Sequence, residues 1–167
     1  MAKKRAGGAH KNTVLSLLDR ETGQVRSFHV ATATVDEVAP IVGANVSKEA
    51  HLMTDQAKIY KLGAEFARHD TVNHQEDEYA RREGDTVVTT NTIESYFSVF
   101  KRGMRGTYQH CAEKHLHRYL AEFDFRHNNR VALGVNDIER ADQLAKGIVG
   151  KRLTYRRPNG KNNAAPN

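Results

Sequence analysis

Apolar and polar positions change period several times along this chain, and each change marks an element. Thr13–Leu18 (TVLSLL) is a short apolar run of strand length. The polar stretch Asp19–Gln24 (DRETGQ) carries Gly23, which tolerates positive φ, and reads as a turn. In Val25–Thr32, Val25, Ser27, His29 and Ala31 alternate with Arg26, Phe28, Val30 and Thr32, which predicts a second strand and a hairpin. From Thr34 to Val46 the period changes: Val35, Val38, Ala39 and Val42 follow helical spacing. Thr34 with Glu37 forms a capping-box pattern, and Pro40 predicts a kink or a later start.

His51–Thr54 (HLMT) is a short apolar run ending at Asp55 and predicts a buried strand. A short helix is expected over Ala57–Ala67 and another strand over Thr71–Asn73. His74–Val88, polar and acidic, reads as an irregular insertion. Two amphipathic helices follow. Thr92–Arg102, with the chain just beyond it, aligns Ile93, Tyr96, Phe97, Phe100 and Met104. Glu113–Asn129 aligns Leu116, Tyr119, Leu120, Phe123 and His127. Gly103 and Gly106 are expected to break the chain between them, and Asp137–Val149 predicts a last helix. This alternation of strands and helices predicts an α/β layered domain.

Charge changes the picture through its distribution. The net charge is +6, yet residues 1–11 and 151–167 hold nine of the 26 basic residues and no acid. The body between them carries the remaining 17 against 20 acids. Within it, residues 91–130 are the basic stretch, with seven Lys or Arg, four acids and four histidines. Both tails, 1–12 and 151–167, read as basic disordered segments. No apolar run is long enough to span a bilayer and no apolar leader follows the basic start, so no membrane association is expected. The single Cys111 excludes an internal disulfide, and a cytoplasmic location is expected. His110, Cys111, His115 and His117 cluster, but their spacing matches no usual zinc finger.

The sharpest local feature is TTNTIESYFSVFKRGMRGTY. Glu94 and Lys101 are two helical turns apart and share a face with Ser98 and Arg105. A carboxylate at the exposed start of a helix, with bases one and two turns on, suits a cation-bound phosphate backbone. Asn91 with Glu94 is also an Asn-x-x-Glu capping box, so Glu94 has a second reading as a helix cap. Asp55, at the end of a short strand, has a parallel second reading as a turn residue.

Four segments in order, TDQAKIY (54–60), HDTVNHQEDEY (69–79), TNTIESYFSVFKRGMRGTYQH (90–110) and KHLHRYLAEFDFRHNNR (114–130), resemble the ISXO-type insertion-sequence transposases. These are DDE enzymes with an RNase H-like fold. The resemblance is strong from Asp55 to Arg130 and weaker back through the hairpin. It implies an RNase H-like domain over 13–130, and the last helix, read from the residues alone, lies within 131–150. It also implies that Asp55 is the second catalytic aspartate and Glu94 the third acidic position. Asn91 is the alternative third position, as attributed in some relatives. Lys101 corresponds to the basic residue expected on DNA, and Arg102, Arg105, Lys114 and Arg118 extend the basic surface.

The family's chemistry implies two Mg²⁺ (or Mn²⁺) ions held by three acids, acting in DNA strand cleavage and transfer during transposition. The family's first aspartate lies on an opening strand, in a Val-Asp-Glu-Thr-like segment followed by Gly-Gly-Lys. This chain starts at MAKKR, just after that point, and has no N-terminal zinc ribbon. The only acids before residue 36 are Asp19 and Glu21, both in the hairpin turn. The expectation is therefore an N-terminally truncated domain lacking its first strand, weak in metal and catalytically incomplete. An exposed sheet edge would then favour a homodimer. The alternative is a non-catalytic DNA-binding remnant or domesticated protein.

Overall fold

A computed structural model of the chain describes residues 12–55, 65–76, 78–109 and 111–151. Most of the helix expected over Ala57–Ala67, almost all of both basic tails, and His110 lie outside these residues. The first strand, β1 (Thr13–Leu18), pairs antiparallel with β2 (Val25–Val30), in register from Thr13↔Val30 to Leu18↔Val25. The turn between them is built as expected: Gly23 has φ +68°, and the Asp19 carboxylate accepts the Glu21 N–H and the Thr22 hydroxyl.

Period-2 alternation sends the two faces of this hairpin to different partners. Leu15, Leu17, Phe28 and Val30 pack with Val38, Ile41 and Val42 of α1 (Val35–Asn45). On the other face lie Val14, Ser16, Ser27 and His29. Val14 packs into a cluster centred on Phe100, Leu116 and Leu120, which belong to α2 (Asn91–Gly103) and α3 (Leu116–Asn128). The hairpin is thus the middle layer between α1 and the α2–α3 pair. Pro40 sits within α1 without ending it. The carbonyl it leaves without a helical partner belongs to Asp36, an exposed residue that water can serve. Thr34 is the N-cap of α1, but its hydroxyl lies 3.3 Å from Thr32 Oγ1, and the expected capping box is not formed.

The next strands are β3 (His51–Asp55) and β4 (Arg68–Val72), paired in parallel with Asp55 opposite Val72. The expected insertion over His74–Val88 is instead largely a hairpin, β5 (Ala80–Glu83) with β6 (Thr86–Thr89), turning at Gly84 with φ +58°. Its strands lack a full apolar face, and within them only Val88 is fully buried. Ion pairs supply what apolar alternation would normally signal. Arg81 binds Glu78 and Glu83 and donates to the Thr71 carbonyl, while Arg68 pairs with Asp70 and Glu83.

Beyond Gly103, α2 runs into a π-helical turn, Met104–Tyr108, and ends at Gln109, a non-glycine residue with φ +53°. Gly103 and Gly106 therefore do not break the chain as expected. Gly103 serves close approach: a Cβ there would lie 2.3 Å from Phe123 Cζ. A last helix, α4 (Asp137–Lys146), begins with a full capping box between Asn136 and Glu139. Among the described residues no helix is long and apolar enough to cross a membrane.

Candidate functional site

Within the parallel pair β3–β4, β4 leads into the turn that meets the start of α2. Asp55 closes β3 and is exposed, and its neighbour across the pair is Val72, the last residue of β4. One residue on, the Asn73 N–H donates to Glu78 Oε2, and the chain then enters a single 3-10 turn, His74–Glu76. This turn carries the His74 ring to Glu94, with Nε2 3.0 Å from Glu94 Oε1. Of the two acids named from sequence, Glu94 thus meets the turn that follows β4, and Asp55 lies opposite the last residue of that strand.

Glu94 is in the first turn of α2, with its side chain about half exposed. It does not form the capping box that Asn91 and Glu94 suggested. The N-cap is Thr90, without a side-chain cap bond, and Asn91 is the first helical residue. The Glu94 carboxylate instead accepts the Thr90 hydroxyl at 2.5 Å. Asn91 is exposed, receives no cap role, and donates its backbone N–H to Thr89 Oγ1 at 3.2 Å. Asp19 is committed to its turn, and the hydrogen bonds from Thr22 and Glu21 hold its carboxyl below the ordinary value. Neither β1 nor β2 carries an acidic side chain. Among the described residues no three His, Cys, Asp or Glu side chains come together as a metal cage.

Along α2 and the π turn, Ser98, Lys101, Arg102, Arg105 and Gly106 line a groove of about 470 Å³. Lys101 reaches over the Phe97 ring, with Nζ 5.9 Å from its centre. Three of the five basic positions named from sequence thus meet here. The other two do not: Lys114 lines a separate cavity with His29, Ala112 and Glu113, and Arg118 is exposed on α3.

Sequence reasoning missed His74 and Thr90 as neighbours of Glu94. Thr90 precedes Glu94 by four residues, a spacing that signals a side-chain pair once the helix is known to include both ends. His74 follows a strand and gave no such signal.

A family model described as an ISXO2-like transposase domain matches residues 1–128. No curated protein and no solved structure matches the chain.

Proposed function

Because the chain belongs to the ISXO2-like transposase domain family, we propose that it is the DDE-type domain of an insertion-sequence transposase, RNase H-like in fold, and that it handles DNA along α2 and the π turn that follows it. The observation that carries this reading is the sharing of one helix by Glu94 and the groove of Ser98, Lys101, Arg102 and Arg105. An acidic group and a phosphate-binding surface lie on one rigid element, and Asp55 ends the strand paired with β4, whose following turn carries His74 to Glu94. Lys101 and Arg105 would meet phosphate oxygens and fix the register of the duplex without reading its sequence.

Asp55 and Glu94 would be the ligands of a divalent cation. Carboxylate oxygens are the hard donors Mg²⁺ takes, and one or two of them with water suffice to hold it. When bound, the cation supplies Lewis-acid activation of the attacking and leaving oxygens. A two-ion site needs a further bridging acid, and the hairpin strands offer none. Such a site loses function steeply, because a missing carboxylate leaves cation charge uncompensated. The 167-residue chain is therefore read as a DNA-binding domain that does not cleave by itself.

The test combines a binding and a cleavage assay on linear duplex DNA. Binding that weakens steeply with salt and no nicking with Mg²⁺ or Mn²⁺ is the expected outcome. Nicking that is lost in Asp55→Ala would mean that the chain supplies a third acid. Affinity independent of salt would remove the DNA-handling reading altogether.

A further inference from the structure

At the start of α2, His74 and Thr90 meet at one carboxylate oxygen of Glu94. His74 Nε2 lies 3.0 Å from Glu94 Oε1 and 3.1 Å from Thr90 Oγ1, and the Thr90 hydroxyl donates to the same Oε1 at 2.5 Å. Thr90 is buried, so its hydroxyl has a fixed setting. The proton positions follow from donor counting. A carboxylate only accepts. The Thr90 hydroxyl has one hydrogen, and it goes to Oε1. Nε2 must then carry the N–H, which is shared between Thr90 Oγ1 and Glu94 Oε1.

The His74 ring is itself braced. It packs tilted against Tyr79 with ring centres 5.6 Å apart. The residue before it is held by the Asn73 N–H bond to Glu78, whose other oxygen is bound by Arg81. The imidazole is thus fixed by groups outside α2, and it fixes a side chain of α2. With both hydrogen bonds on Oε1, the carboxylate plane is set. Among the described residues no hydrogen bond or ion pair falls on Oε2.

We infer that His74, with Thr90, is a positioning residue for Glu94, holding Oε1 so that Oε2 would be left to a cation. This rests on the reading of Glu94 as a cation ligand. A long carboxylate side chain in the first turn of a helix otherwise samples several rotamers. Partners that orient a ligand in this way are worth about 10–100-fold in metal affinity when removed.

The test uses the full chain and Mn²⁺ alone, with paramagnetic broadening of backbone amide signals near Glu94 as the readout and thermal unfolding as the control. Broadening should titrate in the wild type and vanish in Glu94→Gln. His74→Ala should weaken it about tenfold or more, with an unfolding midpoint close to wild type. His74→Gln, which keeps an N–H at similar reach, should recover most of the loss. Unchanged Mn²⁺ binding in His74→Ala, with loss in Glu94→Gln, overturns the positioning role and leaves the ligand reading standing. Equal losses in both His74 variants, accompanied by a lowered midpoint, would mean that His74 only braces the fold. No broadening in the wild type, or none lost in Glu94→Gln, overturns the ligand reading and this inference together.

Discussion

Asp124 grips Ser27 twice: Oδ2 accepts the Ser27 backbone N–H at 2.7 Å and Oδ1 accepts its hydroxyl at 2.7 Å. One turn on, Asn128 pairs both ends of its amide with the backbone of Val25, accepting the N–H at 2.7 Å and donating to the carbonyl at 2.8 Å. Residues 25 and 27 expose their backbone groups on the outer edge of β2, and i, i+4 side chains of α3 satisfy that edge as a neighbouring strand would. Tyr96 of α2 joins by donating to Asp124 Oδ1 at 2.6 Å. Burial and Asp124 together push its phenol far above the ordinary value, so it remains a donor.

Asp124→Ala should therefore destabilise the fold by about 2–3 kcal/mol, since it removes charge-assisted bonds and leaves a backbone N–H and a phenol without partners. Urea unfolding at neutral pH measures this. A loss under about 0.5 kcal/mol would mean that water replaces the carboxylate at no cost.

Gly103→Ala should destabilise by about 1–3 kcal/mol through overpacking, because the new methyl meets Phe123 Cζ at 2.3 Å. Phe123 has little room to yield, being edge-on to Phe100 with ring centres 5.1 Å apart. Pairing Gly103→Ala with Phe123→Leu should cost less than the sum of the two single changes. Strict additivity in that cycle would count against the contact.

Stability should fall as pH drops below about 6.5. Burial holds both His69 and His127 below that ordinary imidazole value. Each is neutral in the fold, and each favours the unfolded chain once it must take a proton. Their contribution is complete above 6.5 and is lost as pH falls toward their lowered folded values. Asp70 adds a lower window. Burial would raise its carboxyl, but the hydrogen bond from His51 and the Arg68 guanidinium outweigh it, so its contribution is lost only below 3.8. Urea midpoints at pH 7.5 and pH 5 should differ in this sense, and the difference should shrink in His127→Gln. A midpoint that rises on acidification would contradict the assignment.

Lys101→Ala and Arg105→Ala should each lower affinity for duplex DNA and flatten the salt dependence by about one unit at most. Arg118→Ala, outside the groove, should change both less. Fluorescence anisotropy across a salt series separates the three. Equal effects from all three would point to diffuse attraction rather than to the groove on α2.

Periodicity alone determined much of this architecture. The helical stripes through Tyr96, Phe100, Leu116 and Leu120 each commit a face to burial, and local spacing suffices to name that face; the alternation in Val25–Thr32 marks a strand of the hairpin, both faces of which pack. Asp55 at a strand end and Glu94 at a helix start were legible for the same reason. Three things were decided only by tertiary contacts. The β5–β6 hairpin draws on ion pairs between β5 and β4, and the charged strand β5 carries no period that separates it from a loop. Capping boxes read at Thr34–Glu37 and Asn91–Glu94 did not form, because Thr34 pairs with Thr32 and the Glu94 carboxylate binds Thr90 and His74. A box formed instead at Asn136–Glu139, where nothing competes for those side chains. His74 reached Glu94 across twenty residues of sequence because β4 ends beside α2, and no local pattern encodes where a strand ends in space.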